Sequence, residues 1–284
     1  RQLDVRRCLL SVGAVGGVQL YLQDGENNCY CFSTAVSTSS LTEYLQAQEG
    51  ESVEFSFLLG EEYSFLSPYT LSFASSASRR VLNGANALTD YPVDALLRAV
   101  EFNPHTKDRY TESSGTVVYI EGQCKLYLHP DGRIVYSGGA VEGSTLFAVT
   151  GADASQPDRA EICSAARRLT STLVQGRTGD AALFLNGIAT DETGSTVVFD
   201  YMYGGTPILF ADGTHAAEVR IENGLITSFT LRLRRYSARE QDSLVLPLSL
   251  SRAIAQRYPD SELSVAYVDS YADTVNAGWI VDRS

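Results

Sequence analysis

From residue 195 to residue 284, apolar and polar positions alternate in short runs separated by turn formers, the pattern of an antiparallel sheet. Asn223-Gly224 sits between two strand-like runs, Ala216 to Glu222 and Leu225 to Tyr236. That dipeptide supplies the positive φ angles a type I′ hairpin requires. In the second run Phe229, Leu231 and Leu233 alternate with Thr230, Arg232 and Arg234. One face should be apolar and the other should carry charge into water.

Helical spacing appears earlier. Pro92 opens a helix in which Val93, Leu96, Leu97 and Val100 form one apolar stripe, and Asn103-Pro104 stops it. A meander follows: Thr116 to Glu121, Cys124 to Leu128 and Arg133 to Ser137, with turns at Gly122 and across 129–132. Ser155-Gln156-Pro157-Asp158 fits a capping box, and Ile162, Ala166, Leu169 and Leu173 place an apolar stripe on a second helix ending near Gly176. Strands are then expected at Ala181 to Leu185, Ser195 to Met202, Glu262 to Val268 and Gly278 to Asp282, with a helix from Pro247 to Tyr258.

The first third is harder to parse. Val12 to Leu22, inside a glycine-containing strand from Cys8, and Tyr30 to Val36 read as strands joined by a turn across 24–28. Ser40-Leu41-Thr42-Glu43 matches a capping box for a short helix, and Ser52 to Leu59 alternates as a strand. The serine-rich stretch 67–78 reads equally as strand or loop.

Together these patterns predict an α+β chain of antiparallel sheets with packed helices, two related helix-plus-sheet units after an N-terminal α/β region. The expected domains are a strand-rich one over 1–85, a helix-plus-meander one over 86–145, and an antiparallel sheet with two helices over 146–284. Thr116-Val117-Val118-Tyr119 and Thr196-Val197-Val198-Phe199 occupy corresponding places in the two units.

Composition narrows the function. With 44% hydrophobic and 20% charged residues, the chain belongs with folded proteins rather than disordered ones. A net charge of −12 and only two lysines, Lys107 and Lys125, argue against nucleic acid, because phosphate neutralisation needs clustered cations. Five scattered cysteines, Cys8, Cys29, Cys31, Cys124 and Cys163, form no zinc or disulfide framework and read mostly as small buried hydrophobes.

Candidate chemistry is sparse. His105, His129 and His215 fall at element ends without partners at ligand spacing, and read as solvated turn residues. No nucleophile elbow occurs, and the glycine cluster 13–17 lacks the Walker lysine. Carboxylates such as Asp269, Asp273 and Asp282 read as an acidic, solvated edge. No catalytic residue, metal site or cofactor is expected. The aromatics carry more: Tyr201, Tyr203, Tyr267 and Trp279 stand on the sheet strands and are interface candidates. The competing and favoured expectation is that the same rings form a sheet core.

Residues 96–138, with TVVFDYMYGGTPI, VRIENGLITSFTLRLRRYS, LPLSLSRAIAQRYP and LSVAYVDSYADTVNAGWIVD, resemble the YycH/YycI family. Its members are extracytoplasmic regulators associated with the WalK (YycG) sensor histidine kinase of Gram-positive bacteria. The likeness spans roughly residues 90 to 284. It implies an α/β region on the outer face of the cytoplasmic membrane, anchored by an N-terminal helix that this chain lacks. It also implies action by contact with the sensor histidine kinase and a homologous regulator, and no enzymatic residues. The chain begins with Arg1, so the expectation is that such an anchor preceded it. The alternative expectation is an extracytoplasmic ligand-binding module for a peptide or cell-wall fragment held in a cleft.

Overall fold

The computed structural model describes residues 5–12, 17–24, 26–46, 53–55, 58, 60–64, 66, 71–73, 79–138, 149, 157–246, 250, 253–254, 256–258 and 262–282. Half of the helix expected from Pro247 to Tyr258, the pair Ser155-Gln156 and most of the stretches 13–17 and 67–78 lie outside these residues, while 250 and 253–254 are helical as expected. The chain divides into two compact units, Arg1–Val53 and Glu54–Ser284.

The first unit holds β1 (Val5–Val12), β2 (Val18–Asp24), β3 (Cys29–Ser33) and α1 (Thr38–Gln46). The three strands form one antiparallel sheet in the order β1-β2-β3. The stretch from Cys8 to Leu22, read as one strand, is two, because Val12 pairs with Val18. In the turn after β2 the Asp24 carboxylate accepts from the Glu26 and Asn28 backbone N–H groups at 3.0 and 2.8 Å. The cap of α1 lies earlier than Ser40: the Ser37 hydroxyl accepts the Ser40 N–H at 3.0 Å.

The second unit is built on one large sheet. Its strands are β6 (Arg79–Asn86), β7 (Arg109–Thr111), β8 (Val117–Glu121), β9 (Cys124–Leu128), β10 (Arg133–Ser137), β11 (Ala182–Thr190), β12 (Ser195–Tyr203), β13 (Thr206–Phe210), β14 (Ala217–Glu222), β15 (Leu225–Arg232), β16 (Arg234–Ser243), β17 (Glu262–Asp269) and β18 (Thr274–Asp282). They run in the order β16-β6-β18-β17-β13-β12-β14-β15-β10-β9-β8-β7, with β11 added on β12. Within this sheet, among the described strands, only β13 and β17 pair in parallel. A separate pair joins β4 (Val53–Phe55) to β5 (Leu71–Phe73). The chain is thus α+β, dominated by antiparallel sheet.

Helix α3 (Arg159–Val174) buries the stripe expected of it, and α2 (Val93–Ala99) buries Leu96, Leu97 and the adjoining Val100 but leaves Val93, at the start of its stripe, exposed. Leu96, Leu97, Val100, Ile162, Ala166, Leu169 and Leu173 join one core cluster with Tyr119, Leu126, Tyr136, Val197, Phe199 and Phe229. The capping box of α3 is Asp158 with Glu161, three residues after the predicted start: Asp158 accepts the Glu161 N–H at 2.8 Å, and Glu161 accepts the Asp158 N–H at 2.9 Å.

The hairpin at Asn223-Gly224 forms as expected, with φ of 49° and 74° and Glu222 paired with Leu225. No boundary separates 86–145 from 146–284, because β10 pairs with β15 over its whole length and one core spans both segments. A boundary at 85 would cut through β6, which pairs with β16 and β18.

Candidate functional site

Four polar constellations occupy the large sheet, and they differ in what they leave free. The most deeply buried joins β16 to the end of β17. Arg234 grips Asp269 through Nε–Oδ2 at 2.9 Å and Nη2–Oδ1 at 3.0 Å. Tyr236 donates to Asp269 Oδ2 at 2.8 Å, and the Tyr271 N–H donates to Oδ1 at 2.7 Å. The remaining reach of Arg234 goes to the Ala272 carbonyl. Burial opposes the charge on Arg234, but the hydrogen bonds and charge of Asp269 hold its pKa above the ordinary value. The alternation that placed Arg234 in water, and the reading of Asp269 as a solvated edge, are both corrected: each finds its partner across the fold and is buried.

The second constellation is made of the polar atoms of the interface candidates, which sort by burial. Tyr201 and Tyr267 are fully buried, so neither ring is accessible to a partner. The Tyr201 hydroxyl donates to the Arg232 carbonyl at 2.8 Å and accepts the Arg234 N–H, and burial pushes its phenol well up. Tyr267 donates to the Arg80 carbonyl, and its phenol is pushed up to about 12, chiefly by burial. Tyr203 is half-buried, edge-on to Tyr267 with ring centroids 6.1 Å apart. Trp279 is half-buried, and its indole N–H donates to the Leu246 carbonyl at 2.9 Å. These rings are sheet core, with polar atoms that tie strands together.

A third constellation sits at the surface. Arg220 on β14 holds Asp191 through two hydrogen bonds of 2.8 Å, and also bonds Glu222 and the Thr193 hydroxyl. The Arg220 guanidinium, then the Thr193 N–H, hold the Asp191 carboxyl well below the usual carboxylate range. Every charge here is spent on a neighbour, which clamps the loop before β12 to β14.

The fourth constellation leaves a functional atom free. Asp200 on β12 points away from Phe199 and Tyr201, yet is only 2% exposed. A bulge in β11 between Leu185 and Gly187 leaves Asn186 without a register partner, and Asn186 Nδ2 donates to Asp200 Oδ2 at 2.7 Å. The Ala216 N–H donates to Oδ1 at 3.2 Å. His215 completes the set, its Nδ1 lying 3.1 and 3.0 Å from the two carboxylate oxygens. A carboxylate only accepts, so Nδ1–H is the donor and the neutral ring presents Nε2 as an acceptor. The His215 side chain is 37% exposed, and Nε2 has no hydrogen-bond partner among the described residues. A buried carboxylate that orients an accessible imidazole can serve proton transfer or ligand contact. No cluster of His, Cys, Asp and Glu fit to hold a metal ion occurs among the described residues.

Sequence reasoning read His215 as a turn residue because its partner lies 15 positions away on another strand. Of the other two histidines, His105 stays in a loop, while His129 lies between Thr116 Oγ1 at 3.1 Å and Arg133, with its ring stacked on Tyr127. The cysteines also differ from expectation: Cys8, Cys29 and Cys31 are exposed, and Cys124 and Cys163 are half-buried. The first three stand on β1 and β3, the outer strands of a small sheet with little to cover them.

Comparison with protein-family models, with curated proteins and with solved structures finds no match to this chain. Among the described residues no helix is long and apolar enough to cross a membrane.

Proposed function

We propose that the chain is a noncatalytic extracytoplasmic regulator that acts by protein–protein contact on a membrane sensor histidine kinase, together with a homologous regulator. The observation that carries this reading is one face of the sheet β1–β3. Leu10, Val12 and Phe32 are exposed there, beside the half-buried Leu20, Leu22 and Tyr30. An accessible face of that composition favours docking over chemistry. The YycH/YycI resemblance supplies the class of partner and puts a membrane-spanning helix ahead of Arg1.

The test is to fuse the chain to a membrane-spanning segment and express it beside the sensor kinase of the same genome. Kinase output should change with the wild-type chain and revert with Leu10→Glu/Phe32→Glu. Output indifferent to the presence of the chain would end this reading.

The half-exposed His215, held by Asp200, favours a second reading as a ligand-binding module for a peptide or cell-wall fragment. Titrating wall fragments while following the His215 ring by NMR tests it, and an unmoved ring with every fragment counts against it.

The same reading includes a relationship between the two helix-then-sheet units. Helix α2 precedes β8–β10 as α3 precedes β11–β15. Val117 and Tyr119, like Val197 and Phe199, turn toward the common core. Superposing the units should bring residues 117 and 197 into register, and a fit that demands another pairing would refute the relationship.

A further inference from the structure

The small sheet has two outer strands, and they are unequally defended. β1 contains Arg6 and Arg7, whereas β3, Cys29-Tyr30-Cys31-Phe32-Ser33, contains no charge and no proline. Charged residues and proline are what ordinarily keep an edge strand from recruiting another chain. The hydrogen-bond phase shows which groups β3 leaves open. Thr34 N–H bonds the Val18 carbonyl, and Asp24 N–H bonds the Asn28 carbonyl. Counting along the register, Tyr30 and Phe32 direct their backbone groups at β2. Cys29, Cys31 and Ser33 therefore direct theirs off the edge, and all three residues are exposed.

We propose that β3 pairs antiparallel with β3 of a second copy of this chain, making a two-fold symmetric dimer through a continuous six-stranded sheet. The occupant follows from the strand's self-complementarity. Only one register overlaps all five residues with outward groups facing outward groups. It sets Cys31 opposite its own copy and Cys29 opposite Ser33, as hydrogen-bonded pairs. Tyr30 then faces Phe32 twice, at the close, non-hydrogen-bonded positions where aromatic pairs pack best. No charge lies on the pairing strand to meet its like. Tyr30 and Phe32 share their face with Cys8, Leu10, Leu20 and Leu22, so the apolar face runs unbroken from one copy into the other. The pairing goes beyond the regulatory reading and leaves that face open to a partner.

The test uses the full chain. Sedimentation equilibrium should report a dimer whose association strengthens with salt, because each copy carries −12 and added ions screen that repulsion. In a Cys8→Ser/Cys29→Ser background, a short bismaleimide should give a covalent dimer on reducing gels through Cys31. Cys31→Pro is the decisive variant: the lost N–H points off the edge, so β2–β3 pairing survives while the second copy loses its acceptor-facing donor. It should be monomeric with its thermal midpoint unchanged at low concentration. Ser33→Lys, which keeps every backbone group, should weaken association at least tenfold by placing a cation opposite Cys29 at each end of the paired strands. A wild-type chain that stays monomeric at hundreds of micromolar, or a Cys31→Pro chain that dimerises as well as wild type, would overturn the pairing.

Discussion

Arg234 and Asp269 meet as a bidentate ion pair with side chains 5% and 0% exposed, and the pair ties β16 to the turn between β17 and β18. A buried pair contributes little net stability over a well-packed apolar substitute, yet stranding one partner is costly. Asp269→Ala should therefore destabilise the second unit by about 3–5 kcal/mol. Tyr236→Phe, which removes one donor to the same carboxylate, should cost about 1.5–3 kcal/mol. Urea unfolding of the single and double variants checks both, and the double variant should cost less than the sum, since the Tyr236 donor has no acceptor once Asp269 is gone.

Two glycines with similar φ should respond differently to alanine. Gly205, at φ 74° in the turn between β12 and β13, meets nothing where a Cβ would go, so Gly205→Ala should cost only the left-handed backbone penalty of about 1–2 kcal/mol. Gly179, at φ 69°, bridges to Tyr236, and a Cβ there would strike the Tyr236 carbonyl oxygen. Gly179→Ala should be the more damaging, because the clash is with backbone that cannot rotate away. Equal thermal midpoints for the two variants would contradict this account.

Local grammar made much of the fold legible. Asn223-Gly224, the meander of β8–β10 and the apolar stripes of α2 and α3 depend on neighbours within a few residues, so periodicity and turn chemistry were enough to find them. Features set by distant strands were not legible. Arg234 looked solvent-facing by alternation because its partner stands 35 residues on, and tertiary pairing overrode the pattern. The boundary expected at residue 145 ignored the pairing of β10 with β15, which periodicity within either segment cannot reveal. The His215 site needed a bulge at Asn186, and no turn signal in the sequence marks it. The cysteines looked like core because they are commonly buried, whereas three of them occupy outer strands with an open face.

His129 provides a pH handle. Burial first, then the positive charges of Arg133 and Arg232, outweigh Asp131 and Glu112 and hold its imidazole below the ordinary value of about 6.5. The unfolded chain thus binds this proton at higher pH than the folded chain does. The contribution to stability is fully present above the unfolded value and is lost as pH falls through the folded one. Between about pH 7.5 and about pH 5, which brackets the ordinary value, the denaturation midpoint should fall further for wild type than for His129→Gln. Parallel pH profiles for the two would show that His129 is not responsible.

Asp200 and His215 can be separated as scaffold and working group. Asp200 accepts from Asn186, Ala216 and His215 while buried, so Asp200→Ala strands three donors and should cost about 2–3 kcal/mol. His215 is partly in water and gives the carboxylate only one of its donors, so His215→Ala should cost about 1 kcal/mol. Asp200→Asn retains an acceptor but can turn an amide N–H toward the ring, which favours the tautomer with its proton on Nε2. Nitrogen-15 NMR of the histidine ring should therefore show the Nδ1–H form in wild type and a shift toward Nε2–H in Asp200→Asn. If the ring serves a ligand through Nε2, His215→Ala should abolish that contact with the fold intact. Asp200→Asn should weaken it in proportion to the tautomer lost, a correlation that a purely structural His215 would not produce.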